Sequence, residues 1–360
     1  MKLSEFLTEL EYEVVQGSVD CEISTLVTDN RKVEKNSLFV CISGANFDGH
    51  SVASAVAAAG AAAVVVEKDV EVPEGITVIK LSSTRYALAY LAAAYYGHPA
   101  KQLKVIGITG TKGKTTTTYL IKSILEHAGY SVGLIGTIEV IIGDEHIHAV
   151  NTTPESITIQ EYFRRMVDAG IQVVVMEVSS QGLMMHRTQA IDFEIGIFTN
   201  IEPDHIGPNE HESFEQYMEC KSLLFKQCRV GIVNADDPHL ETILKGHTCS
   251  VESYGMNGGD LYAENIKLVN KEGYLGVDFD VNGAISLPVS IPTPGRFSVY
   301  NALCAVAVCK QFNIEKSAIQ EALKQAKVKG RIEMIPISKR FTLMIDYAHN
   351  GMALRSLLET

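Results

Sequence analysis

The stretch that most constrains how this chain can fold runs Val105-Ile106-Gly107-Ile108-Thr109-Gly110-Thr111-Lys112-Gly113-Lys114-Thr115-Thr116. It begins as a short β-branched run that reads as a buried strand, passes through a glycine-spaced turn and opens a helix. The helix shows in Leu120, Ile121, Ile124, Leu125 and Ala128, which fall on one face at helical spacing. Glycines at such a turn let backbone N–H groups converge on phosphate oxygens, and the helix N-terminus adds a positive dipole end. Lys114 is then placed to reach the β- and γ-phosphates of a nucleoside triphosphate, and the Thr115 hydroxyl to ligate Mg²⁺. The strict Walker spacing would put glycine at 108, where this chain has Ile. The alternative reading is a plain glycine turn between core strand and helix.

At 360 residues the chain has room for two or three domains, each with its own core. A net charge of −12 argues against a general nucleic-acid binder, which needs a basic surface, but leaves an anionic nucleotide possible through local cations. The seven cysteines are scattered, with no C-x₂-C pair, as expected for free thiols in a reducing cytosol. No signal-peptide pattern opens the chain, and the most apolar run, 52–66, is too short to span a bilayer. These features point to a soluble, cytoplasmic protein without membrane insertion.

Residues 1–99 read as a first α/β unit. Its expected strands lie at 37–42, 63–66 and 78–79, and its helices at 52–59 and 85–96. Two polar clusters, Thr28-Asp29-Asn30-Arg31-Lys32 and Gly44-Ala45-Asn46-Phe47-Asp48-Gly49-His50, flank its first strand. By composition they are ordinary turns; by position, one leaves the carboxyl end of a strand, where open α/β sheets hold ligands. Residues 100–329 alternate again. Parallel strands are expected at 132–135, 173–176, 195–199 and 230–233, and helices at 156–169, 213–226 and 238–245. Residues 274–281 and 284–291 alternate around Asn282-Gly283, a hairpin signal and hence a small antiparallel addition. Helices from Ser298 and Ser317 follow. Gly330-Arg331 reads as a hinge into a third unit, 330–360, with a strand at 341–345 and one helix.

Glu177 directly follows the apolar run 173–176. At that strand end it can face Mg²⁺ as a Walker B acid does, or it is a helix cap or surface acid. Ser179 and Ser180 can cap the next segment or touch substrate. Asp204-His205 follows another strand end, where the histidine is either structural or a ligand to a second metal. His186 and His211 read as polar loop residues. Lys221 lies inside the apolar stripe Phe214, Tyr217, Met218, Leu224, Phe225 of a helix opened by Ser213-x-x-Gln216. An ammonium buried there is costly unless paired or chemically altered; the alternative is a snorkelling stem.

Together these stretches resemble the Mur ligase family, the ATP-dependent amide-forming enzymes of peptidoglycan synthesis. The likeness rests on Gly110-Thr-Lys-Gly-Lys-Thr-Thr116, Thr28-Asp-Asn-Arg31, Asp48-Gly-His50, Asn151-Thr-Thr-Pro154 and Glu177-Val-Ser-Ser180. It continues through Phe198-Thr-Asn200, Asp204-His205, Tyr217 with Lys221, Asn234-Ala-Asp-Asp237, Pro294-Gly295 with Asn301, Gly330-Arg-Ile-Glu333 and Asp346-Tyr-Ala-His349. The branch it is most similar to adds the third amino acid, L-lysine or meso-diaminopimelate, to UDP-MurNAc-L-Ala-D-Glu. Met185 stands where related enzymes often carry a polar residue, and Asn350-Gly-Met-Ala-Leu354 replaces the commoner Thr-Pro-Asp-Ala-Leu.

The resemblance implies an N-terminal α/β uridine-nucleotide domain and a central P-loop parallel-sheet ATPase domain, followed by the start of a third, Rossmann-like domain. It implies two Mg²⁺ ions, one held by Thr115 and Glu177, the other by His205 and a carbamylated Lys221. Gly110, Thr111, Lys112, Gly113, Lys114, Thr115 and Thr116 would cradle ATP, with Asn301 at the adenine, Arg331 at phosphate or ribose and Asp346 at the ribose. Asn30, Ala45, Asn46 and Phe47 would surround the uridine diphosphate. Asn151, Thr152, Thr153, Ser179 and Arg187 would hold the muramoyl-dipeptide, Lys114, Lys221, His205 and Arg187 being counted as catalytic. Because family members continue through a complete third domain, binding without turnover is expected of this chain, and the choice of amino acid is expected to lie beyond Thr360. Two other readings are a further branch of the superfamily, of MurF or folylpolyglutamate synthase type, and a non-catalytic nucleotide-sugar-binding derivative.

Overall fold

A computed structural model of the chain describes residues 1–208, 210–271, 274–331, 333–335, 337, 343–348 and 354. Three sheets organise it. In the first, the strands run in the order Glu13–Gln16, Thr77–Lys80, Ala61–Val66, Ser37–Val40, Thr25–Val27. The last four are parallel, as β-α-β connections through Ala53–Ala58 require, and Glu13–Gln16 closes one edge antiparallel. Strand Ser37–Val40 is buried on both faces, which is why it reads as an apolar run without alternation.

The second sheet has eleven strands. Its parallel middle runs Ser250–Gly255, Cys228–Asn234, Phe193–Phe198, Lys104–Thr109, Val173–Glu177, Val132–Ile135. The phosphate-loop strand, Lys104–Thr109, is thus central, with Phe193–Phe198 and Val173–Glu177 as neighbours. Ile106 and Ile108 face helices Lys114–His127 and Arg296–Gln311, which contribute Ile121, Ile124, Leu303 and Val306 to one core layer. Val105 faces the other layer, with Phe163, Phe193 and Phe225. Each such side chain, once fully buried, contributes roughly 1.5–3 kcal/mol, so the loop between strand and helix springs from a rigid base. The chain leaves this strand toward Val132–Ile135 on one side and later places Phe193–Phe198 on the other. The carboxyl ends therefore open onto a crevice of the kind in which such sheets hold ligands.

Antiparallel strands extend both edges: Glu139–Ile142 and Glu145–His148 on one, Tyr274–Gly283 and Leu287–Ile291 on the other. Here the structure corrects the expected turn. Asn282 and Gly283 pair with Tyr262 and Leu261 inside a strand, and the hairpin reverses between Val281 and Leu287. Their partner, Leu261–Lys271, has no alternation to announce it, because most of its central residues are exposed. The helix expected over 238–245 contracts to Leu240–Ile243, and the one over 213–226 is α-helical only for Phe214–Ser222, tightening to 3₁₀ geometry over Leu223–Lys226.

In the third sheet Glu333–Ile335 pairs antiparallel with Leu343–Ile345. Phe341, Thr342, His349 and nearly all of the helix expected after them lie outside the described residues. Among the described residues no helix is long and apolar enough to cross a membrane, and all seven cysteines are free thiols.

Candidate active site

The phosphate loop is held open from behind. Gly110 has φ +148°, and a Cβ there would lie 1.9 Å from Thr199 Oγ1; Gly113 has φ +86° and would meet Asn301 Oδ1 at 2.6 Å. Only glycine fits either position. Thr111 N donates to Asn200 O (2.8 Å), Lys112 N donates to Asn200 Oδ1 (2.9 Å), and Asn200 Nδ2 and Thr199 Oγ1 donate to Lys112 O (3.0 and 2.7 Å). Asn234 Nδ2 in turn donates to Thr199 O (2.8 Å), and Asp237 Oδ2 accepts from Ile201 N (2.8 Å). Motifs 198–200 and 234–237 thus brace the loop's backbone, leaving its front face to a ligand.

Two lysines converge on one carbonyl. Lys114 Nζ donates to Gly110 O (2.8 Å) and Thr111 O (3.2 Å), and Lys221 Nζ donates to Gly110 O (3.1 Å). Lys221 is 1% exposed and lies over the Tyr217 ring, 4.4 Å from its centroid. Burial, and then the neighbouring Lys114, push its amine well below the ordinary lysine range; burial also lowers Lys114. At 1% exposure the Lys221 amine does not reach solvent, which excludes a snorkelling stem, and among the described residues it makes no ion pair, so a charge there is costly.

Glu177 ends its strand 1% exposed, so it is no surface acid. Its Oε1 accepts from Thr115 Oγ1 (2.9 Å) and Thr137 N (3.0 Å), and its Oε2 from Thr137 Oγ1 (2.9 Å). Among the described residues no basic group pairs with it, leaving a buried carboxylate beside a P-loop hydroxyl in need of a cation. Mg²⁺ fits that donor set, because it takes one or two protein oxygens and completes its octahedron with phosphate and water. Among the described residues no group of three His, Cys, Asp or Glu is assembled for a metal.

Lys114, Thr115, Thr137 and Glu177 line a cavity of about 440 Å³, together with Lys112, Gly113, Thr116, Asn151, Thr152, Thr153, Ser179, Arg187, His205 and Arg331; Lys221 lies buried behind it. Thr153 Oγ1 donates to Glu177 O (3.0 Å) and accepts from Ser179 N (2.9 Å), tying the substrate-side segment to the metal-side strand. Arg187 Nη1 donates to Thr153 O (2.9 Å), while its buried Nε has no partner, a donor left for an anionic ligand. Ser179 caps helix Ser180–Met184 through Gly182 N, so of its two readings capping is realised, at the cavity wall. Arg331 Nη2 reaches Thr115 Oγ1 at 3.4 Å and its guanidinium stacks 4.8 Å over Tyr347.

Several expected residues stand elsewhere. Asn301 lies behind the loop, accepting from Thr117 Oγ1 (3.2 Å), and Asp346 accepts from Ala348 N (2.8 Å); neither lines the cavity. Asn30, Ala45, Asn46 and Phe47 are exposed on the first unit, Phe47 by 52%. The loop bearing 45–47 is clamped at its base. Gly44 N donates to Phe47 O (2.8 Å), and Asp48 takes the His50 ring (2.7 Å) and pairs with Lys68, while His50 Nε2 accepts from Glu67 N (3.1 Å).

His211 corrects the expectation of a polar loop residue. It is 2% exposed, with Nε2 2.8 Å from Ser180 Oγ, and it lines the cavity. Thr137 and Glu210 were also not singled out beforehand. The only local signal was two histidines bracketing Gly207-Pro208, which cannot show that the second folds inward.

Comparison with known proteins agrees with this layout. Residues 22–96 match the family model described as Mur ligase family, catalytic domain, and residues 108–309 match that of the Mur ligase middle domain. The chain is 40% identical over 368 residues to a UDP-N-acetylmuramoyl-L-alanyl-D-glutamate–2,6-diaminopimelate ligase of Clostridium perfringens, covering 100% of this chain and 75% of the relative. It is 41% identical over 373 residues to the enzyme of the same name from Bacillus licheniformis, with the same coverage. A solved structure of a ligase of that name superposes with a TM-score of 0.85 at 24% identity, over 100% of this chain and 74% of the other.

Proposed function

This chain belongs to the Mur ligase family, and on that premise we propose that it is a cytoplasmic ligase adding a diamino acid to UDP-MurNAc-L-Ala-D-Glu at the expense of ATP. The observation that carries this reading is the convergence of Lys114 and the buried Lys221 on Gly110 O, with Lys114 and the Thr115–Glu177 pair lining one cavity together with Arg187. The relatives' names favour diaminopimelate over L-lysine as the incoming amine. We divide the chain into a UDP-sugar unit (1–99), an ATP unit (100–329) and the beginning of a third unit (330–360), with Asn30, Ala45, Asn46 and Phe47 at the uridine diphosphate.

In this reading the D-Glu γ-carboxylate attacks the ATP γ-phosphorus, releasing ADP and forming an acyl phosphate. The amine then attacks the acyl carbon, loses a proton, and inorganic phosphate leaves as the amide forms. Gly110 to Thr116 supply the N–H cradle, and Lys114 exchanges backbone carbonyls for phosphate oxygens. Arg331 would meet the nucleotide from the cavity wall, with Asn301 and Asp346 outside that lining on the expected nucleoside side, and Asn151, Thr152, Thr153, Ser179 and Arg187 would fix the dipeptide so that its carboxylate faces the phosphate. Burial disfavours the charged form of the Lys221 amine; deprotonated, it would add to carbon dioxide with loss of a proton, and the resulting carbamate would supply an anionic oxygen ligand beside that of His205. Thr115 and Glu177 would hold one Mg²⁺ and His205 with the Lys221 carbamate a second, and their charge would screen the repulsion between a carboxylate and an anionic phosphate in a dry site.

The test, on the chain completed with a third domain, is mass spectrometry of the nucleotide-sugar after incubation with ATP, Mg²⁺, L-lysine and meso-diaminopimelate together. The expected product carries one added diaminopimelate residue, and Lys114→Ala lowers its rate by about 100- to 1,000-fold. A product formed at the wild-type rate by Lys114→Ala, or addition to a folate acceptor instead, contradicts the reading.

A further inference from the structure

Residues 205, 207, 210 and 211 are tied to one another by backbone hydrogen bonds. His211 N donates to His205 O (3.0 Å), Gly207 N donates to His211 O (3.1 Å) and Glu210 N donates to Gly207 O (3.0 Å). The His211 ring pins the loop to Ser180, the first residue of the helix that follows Glu177. Within this frame His205 adopts a left-handed backbone (φ 54°), rare for a residue with a side chain, and its Nδ1 lies 3.1 Å from Glu210 Oε1. A carboxylate only accepts, so in the neutral imidazole the Nδ1 proton is the one that satisfies this contact. The ring's remaining lone pair then sits on Nε2. His205 and Lys221 both lie against the Tyr217 ring, at 6.1 Å between centroids and 4.4 Å from the amine respectively.

We propose that Glu210 is a positioning residue that fixes the tautomer and orientation of His205, leaving Nε2 as the metal-binding nitrogen. Carboxylates that accept from the far nitrogen of a ligating histidine do this in metal sites generally. The proposal rests on the reading of His205 as a ligand. As a stabilising ion pair the contact is worth little, since both side chains are about half exposed, 58% and 46%. Glu210 and His205 both line the cavity, and no lysine or arginine among the described residues pairs with Glu210. Asp204, which precedes the histidine, is engaged otherwise: it accepts from His205 N (3.1 Å) and faces Lys112 at 3.4 Å.

The experiment is two measurements on the same chain. Long-range ¹H–¹⁵N spectra of ¹⁵N-histidine-labelled protein report the His205 tautomer. Calorimetry and electron paramagnetic resonance report Mn²⁺ binding in the presence of the non-hydrolysable analogue AMPPNP. The proposal expects Nδ1–H in the wild type, loss of that preference in Glu210→Ala, and Mn²⁺ affinity at one site weakened by about 10- to 100-fold with an unchanged melting temperature. Glu210→Gln, which keeps an accepting oxygen, should restore the tautomer and most of the affinity. An Nε2–H tautomer in the wild type overturns the proposal, as does a Glu210→Ala protein that binds Mn²⁺ like the wild type while His205→Ala does not. Unchanged Mn²⁺ binding in His205→Ala would instead remove the ligand reading itself, and the tautomer spectra would still decide whether Glu210 orients the ring.

Discussion

Lys114 and Lys221 come from two different helices of the central unit and donate to the same oxygen, Gly110 O. Two amines so placed repel one another when both are charged, and burial disfavours the charged forms further. In the proposed function the phosphate groups of ATP would relieve the first lysine and carbamylation the second. We expect Lys221→Ala to lose ligase activity and to regain part of it when a short-chain carboxylic acid is supplied, because the acid can stand where the carbamate oxygen would. Activity assays with and without the acid check this; a variant at the wild-type rate, or one with normal metal binding and no rescue, contradicts it. The position of Lys221 was legible in the sequence, since a cation inside an apolar stripe stands out at helical spacing. Glu177 was legible too, at the end of a β-branched run. His211 and Glu210 were not: whether a loop residue turns inward depends on contacts such as Ser180, thirty-one positions away, that no local pattern encodes.

At the scale of elements, the phosphate loop is shaped more by strands beside it than by its own glycines. Asn200, Thr199 and Asn234 sit at the ends of neighbouring parallel strands and hold the loop's backbone groups. Gly110→Ala would drive a methyl group to 1.9 Å from Thr199 Oγ1 and 3.0 Å from Asn200 O. Overpacking of this kind costs about 1–3 kcal/mol, and we expect at least that in urea unfolding together with weakened nucleotide binding. A variant as stable as the wild type that binds ATP normally contradicts the loop's tight bracing. In the first unit, Asp48 anchors the exposed loop 44–47; Lys68 first and then His50 hold its carboxyl well below the usual range. A carboxylate depressed in the folded state contributes stability that is present above its unfolded pKa and lost as the pH falls below about 4. Asp48→Asn should therefore lower stability at neutral pH and flatten the loss on acidification. Equal pH profiles for the two proteins would argue against this clamp. The strands and helices of the parallel core were readable from apolar runs and their spacing. Leu261–Lys271 was not, because its pairing with Tyr274–Gly283 leaves most of its length in solvent.

At the scale of the whole molecule, the first sheet presents Phe47 and its neighbours outward, and the central sheet presents the cavity lined by Lys114, Glu177 and Arg187. In the proposed function one long substrate would engage both, the uridine diphosphate at one and the D-Glu carboxylate at the other. The alternation of strands and helices made these two units visible in the sequence. Their joint use was not visible there, because Asn30 and Asn46 have no feature that separates a ligand loop from an ordinary polar turn. The most direct test is calorimetric titration of this chain with UDP-MurNAc-L-Ala-D-Glu, beside a folate polyglutamate as control. The account predicts saturable binding of the nucleotide-sugar, weakened by substitution of either Phe47 or Arg187, and no binding of the folate. Absence of saturable heat from the nucleotide-sugar in a folded chain, or binding of the folate in its place, would contradict it.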